Sequence, residues 1–288
     1  MRPVTFGFKT EQSRASYPDL VRIWQEADEI GAFSDLWLFD HFVPLRMDIG
    51  DPCHEAWTLL SALAALTRRA RIGILVAGNT YRHPAVVANM AATIDHVSGG
   101  RLEFGIGAGW HEGEHRMYGI PLGTAGQRIR AMNEACEVVR LLWSNEVSSF
   151  DGRFYTLFEA RCDPKPVQRP GPPITIGGTG ERLTLRVVAR HADRWNFNGK
   201  SVDEFVRLNA VLDDHCRAVG RDPESIIRSV QVHLGTDSSA IREQVAAYIA
   251  AGATHFVLNP RIPLTPGLPG RVARDIVGPL LAGLPGST

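Results

Sequence analysis

Eight times along the 288-residue chain, a short apolar run gives way to a longer stretch whose apolar residues recur at helical spacing. This alternation limits the fold more than any other feature. A strand too continuously apolar to keep a wet face, followed each time by a helix, must pair in parallel and be covered from outside. The strand-like runs are residues 4–9, 36–39, 71–76, 102–106, 174–176, 193–197, 227–234 and 255–258. The helical stretches are 17–30, 55–67, 83–97, 127–143, 181–192, 202–219, 239–251 and 271–281. Eight right-handed βα units in this length predict a closed α/β architecture, the (β/α)8 TIM barrel, which typically takes about 250 residues. An open doubly wound sheet is the competing arrangement, weakened because no GxGxxG follows the first strand. Before the fifth strand the chain inserts a hairpin, 147–157, turning at Asp151-Gly152, then an extended connection, 163–173, holding five prolines. No linker rich in Gly, Ser or charge divides the chain, so 1–288 reads as a single barrel domain.

Lysine plus arginine equals aspartate plus glutamate, 31 of each, and the hydrophobic fraction is 44%. A balanced charge offers nucleic acid or an anionic membrane no global attraction. No apolar run approaches a membrane span, and the N-terminus has no signal-like core, so the expected location is the cytoplasm. The four cysteines, Cys53, Cys136, Cys162 and Cys216, are scattered without a CxxC pair. They read as free thiols rather than a disulfide framework or zinc site.

A barrel of this kind keeps its chemistry at the C-terminal ends of its strands. The loops expected there carry Thr10-Glu11-Gln12, Asp40-His41-Phe42, Ala77-Gly78-Asn79, Gly107-Ala108-Gly109-Trp110 and Gly177-Gly178-Thr179-Gly180. The last run precedes a helix, and glycines there let backbone N–H groups face an anion at the helix N-terminus. A phosphate site is the functional reading, and a tight turn with Thr179 as N-cap is the structural one. His41 is a proton donor or acceptor near neutral pH, and Glu11 is a second acid/base candidate. His111-Glu112-Gly113-Glu114-His115 matches H-E-x-x-H formally, but it contains a glycine and follows a glycine-rich turn. It is therefore read as a loop or surface helix with no metal.

Several runs, in order, resemble the bacterial luciferase-like monooxygenase superfamily, and within it the branch that uses the deazaflavin coenzyme F420. They are Trp37-Leu38-Phe39-Asp40-His41-Phe42, Gly78-Asn79-Thr80-Tyr81-Arg82-His83-Pro84, Asp95-His96-Val97-Ser98-Gly99-Gly100-Arg101-Leu102, Gly105-Ile106-Gly107-Ala108-Gly109-Trp110 with Glu114-His115, and Pro172-Pro173-Ile174-Thr175-Ile176-Gly177-Gly178. Flavin-using relatives share much of this pattern. The resemblance implies a cofactor ring at the barrel mouth, with His41 beside it and Asp40 contacting the ring or its support. It implies a bulged end of the third strand behind the ring, at Leu75, Val76, Ala77, Gly78 and Asn79, with a cis peptide near Leu75-Val76. It implies a phosphate cradle at Gly107, Ala108, Gly109 and Trp110, and at Ile176, Gly177, Gly178, Thr179 and Gly180. Sugar-phosphate dehydrogenases of that branch carry Trp in place of Leu45 and Glu in place of Trp110. The substrate expected here is thus another small organic molecule.

The implied function is hydride transfer between F420 and that molecule, with His41 as proton donor and a homodimer as the expected assembly. The alternatives are an FMN-dependent monooxygenase and a non-catalytic barrel that binds a phosphate ligand.

Overall fold

The computed structural model describes residues 2–45, 50–260 and 263–284. Strands β1 (Thr5–Lys9), β2 (Asp35–Leu38), β3 (Arg71–Ile74), β4 (Ala77–Gly78) and β5 (Leu102–Gly107) come first. A two-stranded hairpin follows, β6 (Ser148–Asp151) and β7 (Thr156–Ala160). Then come β8 (Ile174–Gly177), β9 (Arg194–Phe197), β10 (Ile227–Leu234) and β11 (His255–Pro260). All but the hairpin join one parallel sheet in the order β3-β2-β1-β11-β10-β9-β8-β5, and β3 pairs with β5 to close it. Because β3 and β4 occupy one barrel position, the closed barrel has eight, as the alternation predicts.

Helices α1 (Tyr17–Glu29), α2 (Ala56–Leu66), α3 (Pro84–Ser98), α5 (Ala125–Ser144), α6 (Thr184–His191), α7 (Val202–Ala218) and α8 (Ser238–Ala250) cover the barrel. A short α4 (Glu112–Tyr118) sits between β5 and α5. Their starts follow local chemistry: Ser16, Glu55 and Ser201 each accept an N–H from the first turn, and Thr124 with Gln127 forms a capping box. The final helix begins earlier than its apolar spacing suggests, at Leu268, and passes through a π-helical turn at Ala273–Val277.

The third strand, expected over 71–76, stops at Ile74 and resumes at Ala77, and the Leu75–Val76 peptide between is cis, as the family resemblance implied. Two other local expectations change. The hairpin turn is four residues, 152–155, rather than two. Gly152 N–H closes it onto Tyr155 O, and the Glu134 carboxylate of α5 accepts the N–H groups of Arg153, Phe154 and Tyr155. An acceptor from a distant helix thus outweighs the local preference of Asp-Gly for a two-residue turn. The helix expected from residue 181 starts only at Thr184, so Thr179 is not its cap.

The barrel strands are mostly buried, yet they have two unlike faces, because successive side chains point to opposite sides. Phe6, Phe8, Leu36, Leu38, Ile72, Ile74, Phe104, Ile106, Ile174 and Ile176 pack outward with the helices in the main core. The alternate residues meet inside the barrel, where an apolar cluster of Trp37, Leu75 and Val257 forms, with Val76 against it. Beneath that cluster lies a buried polar chain. Asp35 accepts from Trp37 Nε1 and from His255 Nε2 (2.9 Å); Ser229 Oγ joins His255 Nδ1 (2.8 Å), and Asn196 Nδ2 donates to Ser229 (2.9 Å). Burial would raise the Asp35 carboxyl, but the neighbouring His255 and Arg194 outweigh it and hold it well below the usual carboxylate range. The floor of the barrel is therefore wired by hydrogen bonds rather than filled by aliphatic layers.

Candidate active site

Above the Trp37 layer the barrel interior is not filled by side chains. A cavity of about 670 Å³ opens there, at the C-terminal ends of the strands. Of the nominated residues, Glu11, Asp40, His41, Leu75 to Gly78, Gly107 to Trp110 and Gly177 to Gly180 all line it. Two do not. Ile176 is fully buried on the outward face, because it alternates with Thr175 and Gly177. Asn79 turns its amide away to the Tyr155 hydroxyl (3.0 Å).

His41 is nearly buried at the end of β2. Its Nδ1 lies 2.7 Å from Oε2 of Glu114, a residue of α4 that is fully buried. Glu114 also accepts the Tyr81 hydroxyl and the Phe42 N–H, both in short hydrogen bonds. Burial alone would raise the Glu114 carboxyl; these donors more than reverse that and bring it down to about 2. An ionised carboxylate only accepts, so His41 Nδ1 carries the proton. That leaves Nε2 as the nitrogen with which His41 can meet a ligand in the cavity. Phe39, Tyr81, Trp110 and His111 surround the imidazole at centroid distances of 5.6–6.3 Å, which limits how far it can swing.

The Glu114 hydrogen bonds carry a pH signature. A carboxyl lowered from 4.5 to about 2 stabilises the fold fully above its unfolded value, and that stabilisation is lost as pH falls towards the folded value. At about 1.4 kcal/mol per unit, the contribution is on the order of 3 kcal/mol. Glu114→Gln should therefore be less stable than the parent at pH 6, with the gap narrowing between pH 5 and pH 2 in urea titrations. A gap constant across that window would show that Glu114 is not ionised in the fold.

Asp40 does not face the cavity as a free acid. Arg82 grips it with two nitrogens (2.8 and 3.1 Å), and Gly78 N–H donates to the same carboxylate (2.9 Å). Burial pushes the Asp40 carboxyl up, against the pull of the guanidinium. Its geometry fastens β4 to the end of β2, so it braces the wall at Leu75 to Gly78. Lys9 braces the other side, donating to Leu75 O (3.1 Å) and Gln231 Oε1 (3.0 Å). The glycines of β5 serve this wall too. A Cβ at Gly107 would come within 2.7 Å of Val76, and one at Gly105 would run into the Ile74 carbonyl.

Beside that wall, where a Cβ at Gly177 would lie 3.3 Å from Val76, Gly178 adopts φ 133°, and a Cβ there would meet Thr184 at 3.0 Å. No side chain caps α6, which starts at Thr184; the Leu185 N–H of its first turn donates to Gly180 O (3.0 Å). Arg128 of α5 also lines the cavity here, its guanidinium donating to Gly109 O (3.0 Å) and Gly123 O (2.7 Å).

The two imidazoles of the formal H-E-x-x-H run are engaged within the protein. His111 caps α4 by accepting Glu114 N–H, and His115 Nε2 lies on the Thr80 hydroxyl. Among the described residues no group of His, Cys, Asp and Glu could hold a metal ion. All four cysteines are free thiols. Among the described residues, no helix is long and apolar enough to cross a membrane.

Sequence reasoning passed over Glu114, Tyr81, Arg82 and Arg128 as members of the site. Glu114 was visible in a metal-like motif and, with His115, among the runs that carry the resemblance, but nothing local pairs it with His41.

The family model of luciferase-like monooxygenases matches residues 3–270. The chain is 29% identical over 240 residues to the F420-dependent glucose-6-phosphate dehydrogenase of Amycolatopsis mediterranei, covering 80% of this chain and 69% of that one. It is 31% identical over 193 residues to the FMNH(2)-dependent dimethylsulfone monooxygenase of Pseudomonas putida, covering 62% and 53%. Among solved structures, an F420-dependent secondary alcohol dehydrogenase in complex with an F420-acetone adduct superposes with a TM-score of 0.87 at 18% identity, covering 97% of this chain and 99% of that one.

Proposed function

The chain belongs to the luciferase-like monooxygenase family, and from that premise we propose that it is an oxidoreductase moving hydride between coenzyme F420 and a small organic substrate. The observation that carries this reading is the layout of one cavity. An anion-suited end, made of the Gly177 to Gly180 loop, the uncapped α6 and Arg128, faces the same space as the His41 imidazole, with the Leu75–Val76 wall exposed to it. A phosphate-bearing cofactor suits that end, since the Gly177 to Gly180 loop brings mostly backbone to the cavity and Arg128 on the same cavity adds positive charge. Gly177, Gly178, Thr179, Gly180 and Arg128 would hold the phosphate side, and Leu75, Val76 and Ala77 would back the ring. When bound, F420 supplies or accepts the hydride.

What remains for the protein is a proton at the substrate. Glu114 keeps the proton of His41 on Nδ1 and fixes the ring plane, so Nε2 is the atom that gives or takes a proton. Glu11, also on the cavity, is a second candidate for that transfer. Asp40 and Arg82 act through the backbone by holding Gly78, and touch no reacting atom.

The likeness to an FMNH(2)-dependent monooxygenase supports a second reading, because FMN carries a phosphate that would suit the same loop. Side-by-side fluorescence titration of F420 and FMN separates the two. F420 is expected to bind more tightly; FMN binding as tightly or more so would favour the monooxygenase.

A further inference from the structure

The chain has six tryptophans, and five of them are inside. Trp24, Trp37, Trp57, Trp143 and Trp195 are at most 2% exposed, whereas Trp110 is 62% exposed and lines the cavity. Its indole is held from two sides. Gly109 turns the chain just before it, with φ 78°. His111, fixed as the cap of α4, meets the indole at 5.0 Å and 59°, and His41 meets it at 5.7 Å and 71°. A large apolar ring is thus presented, at a set angle, beside the proposed proton donor. Phe39 and Leu45 line the same cavity. Of the cavity-lining cations among the described residues, Lys9 is committed to Leu75 and Gln231, and Arg128 belongs to the proposed phosphate end.

Aromatic surfaces gain most from flat apolar partners, by area removed from water and by offset or edge-on stacking. We propose that Trp110 is the specificity-determining wall of this cavity, and that the substrate is an uncharged alcohol or carbonyl compound on a planar or cyclic apolar frame. The frame lies against the indole and its oxygen is directed to His41. This rests on the hydride-transfer reading and names the substrate class for it.

The test uses the whole protein, with and without F420, and two probes, 1-phenylethanol and glucose 6-phosphate. Emission excited at the red edge of the tryptophan band is expected to be quenched by iodide in the parent and not in Trp110→Ala, because the other five indoles are buried. 1-Phenylethanol should protect it, and glucose 6-phosphate should not. By calorimetry, Trp110→Ala should weaken 1-phenylethanol about tenfold, with Trp110→Phe close to the parent. Unquenchable parent emission, failure of 1-phenylethanol to protect, unchanged affinity in Trp110→Ala, or tighter glucose 6-phosphate would each overturn the proposal. The quenching arm needs no cofactor. If F420 does not bind the parent, the hydride-transfer reading fails while the indole result still decides the wall.

Discussion

Replacing His41 by alanine is expected to lower turnover by roughly 10²–10⁴-fold, the usual worth of a placed general acid or base. Its imidazole lines the cavity, and its Nδ1 is committed to Glu114, so the variant removes the proposed proton carrier without cutting the barrel. Cofactor affinity should stay within about threefold, since a group acting on the proton chiefly moves kcat. Glu114→Gln should fall between the two, because Gln can still accept from Phe42 and hold part of the local structure. Single-turnover kinetics with prebound cofactor would check this. Unchanged turnover in His41→Ala would remove His41 from the proton path and direct attention to Glu11.

The second large effect concerns the barrel floor. Asp35→Ala should cost about 3–5 kcal/mol of stability, as for other buried pairs that lose one partner. His255 Nε2 and Trp37 Nε1 both donate to Asp35, and all three residues are at most 1% exposed. Alanine leaves those donors without an acceptor and lets no water replace it. Asp35→Asn, which keeps one acceptor oxygen, should cost distinctly less. Denaturant midpoints for the two variants provide the measurement. A cost below about 1 kcal/mol for Asp35→Ala would mean that the polar chain contributes shape and not stability.

The alternation of apolar runs and helical stretches was sufficient for the barrel, because strand pairing and crossover handedness follow from local patterns. The same logic located the site's end of the molecule, since glycines and polar residues cluster in the loops after the strands. Period-two reading also contained the outward position of Ile176, once Gly177 is taken as inward. What no local pattern carried was the pairing of side chains across the mouth. His41 meets Glu114 across 73 residues of sequence, and Arg82 meets Asp40 across 42. The strand break at Leu75–Val76 makes room for Val76 only because β5 has glycines facing it. The Glu134 clamp on the hairpin likewise comes from a helix some twenty residues earlier in the chain. Apolar burial is a property of periodicity and so is written locally. Hydrogen-bond partners and charge compensation depend on which atoms come within about 3 Å, and only the closed barrel decides that.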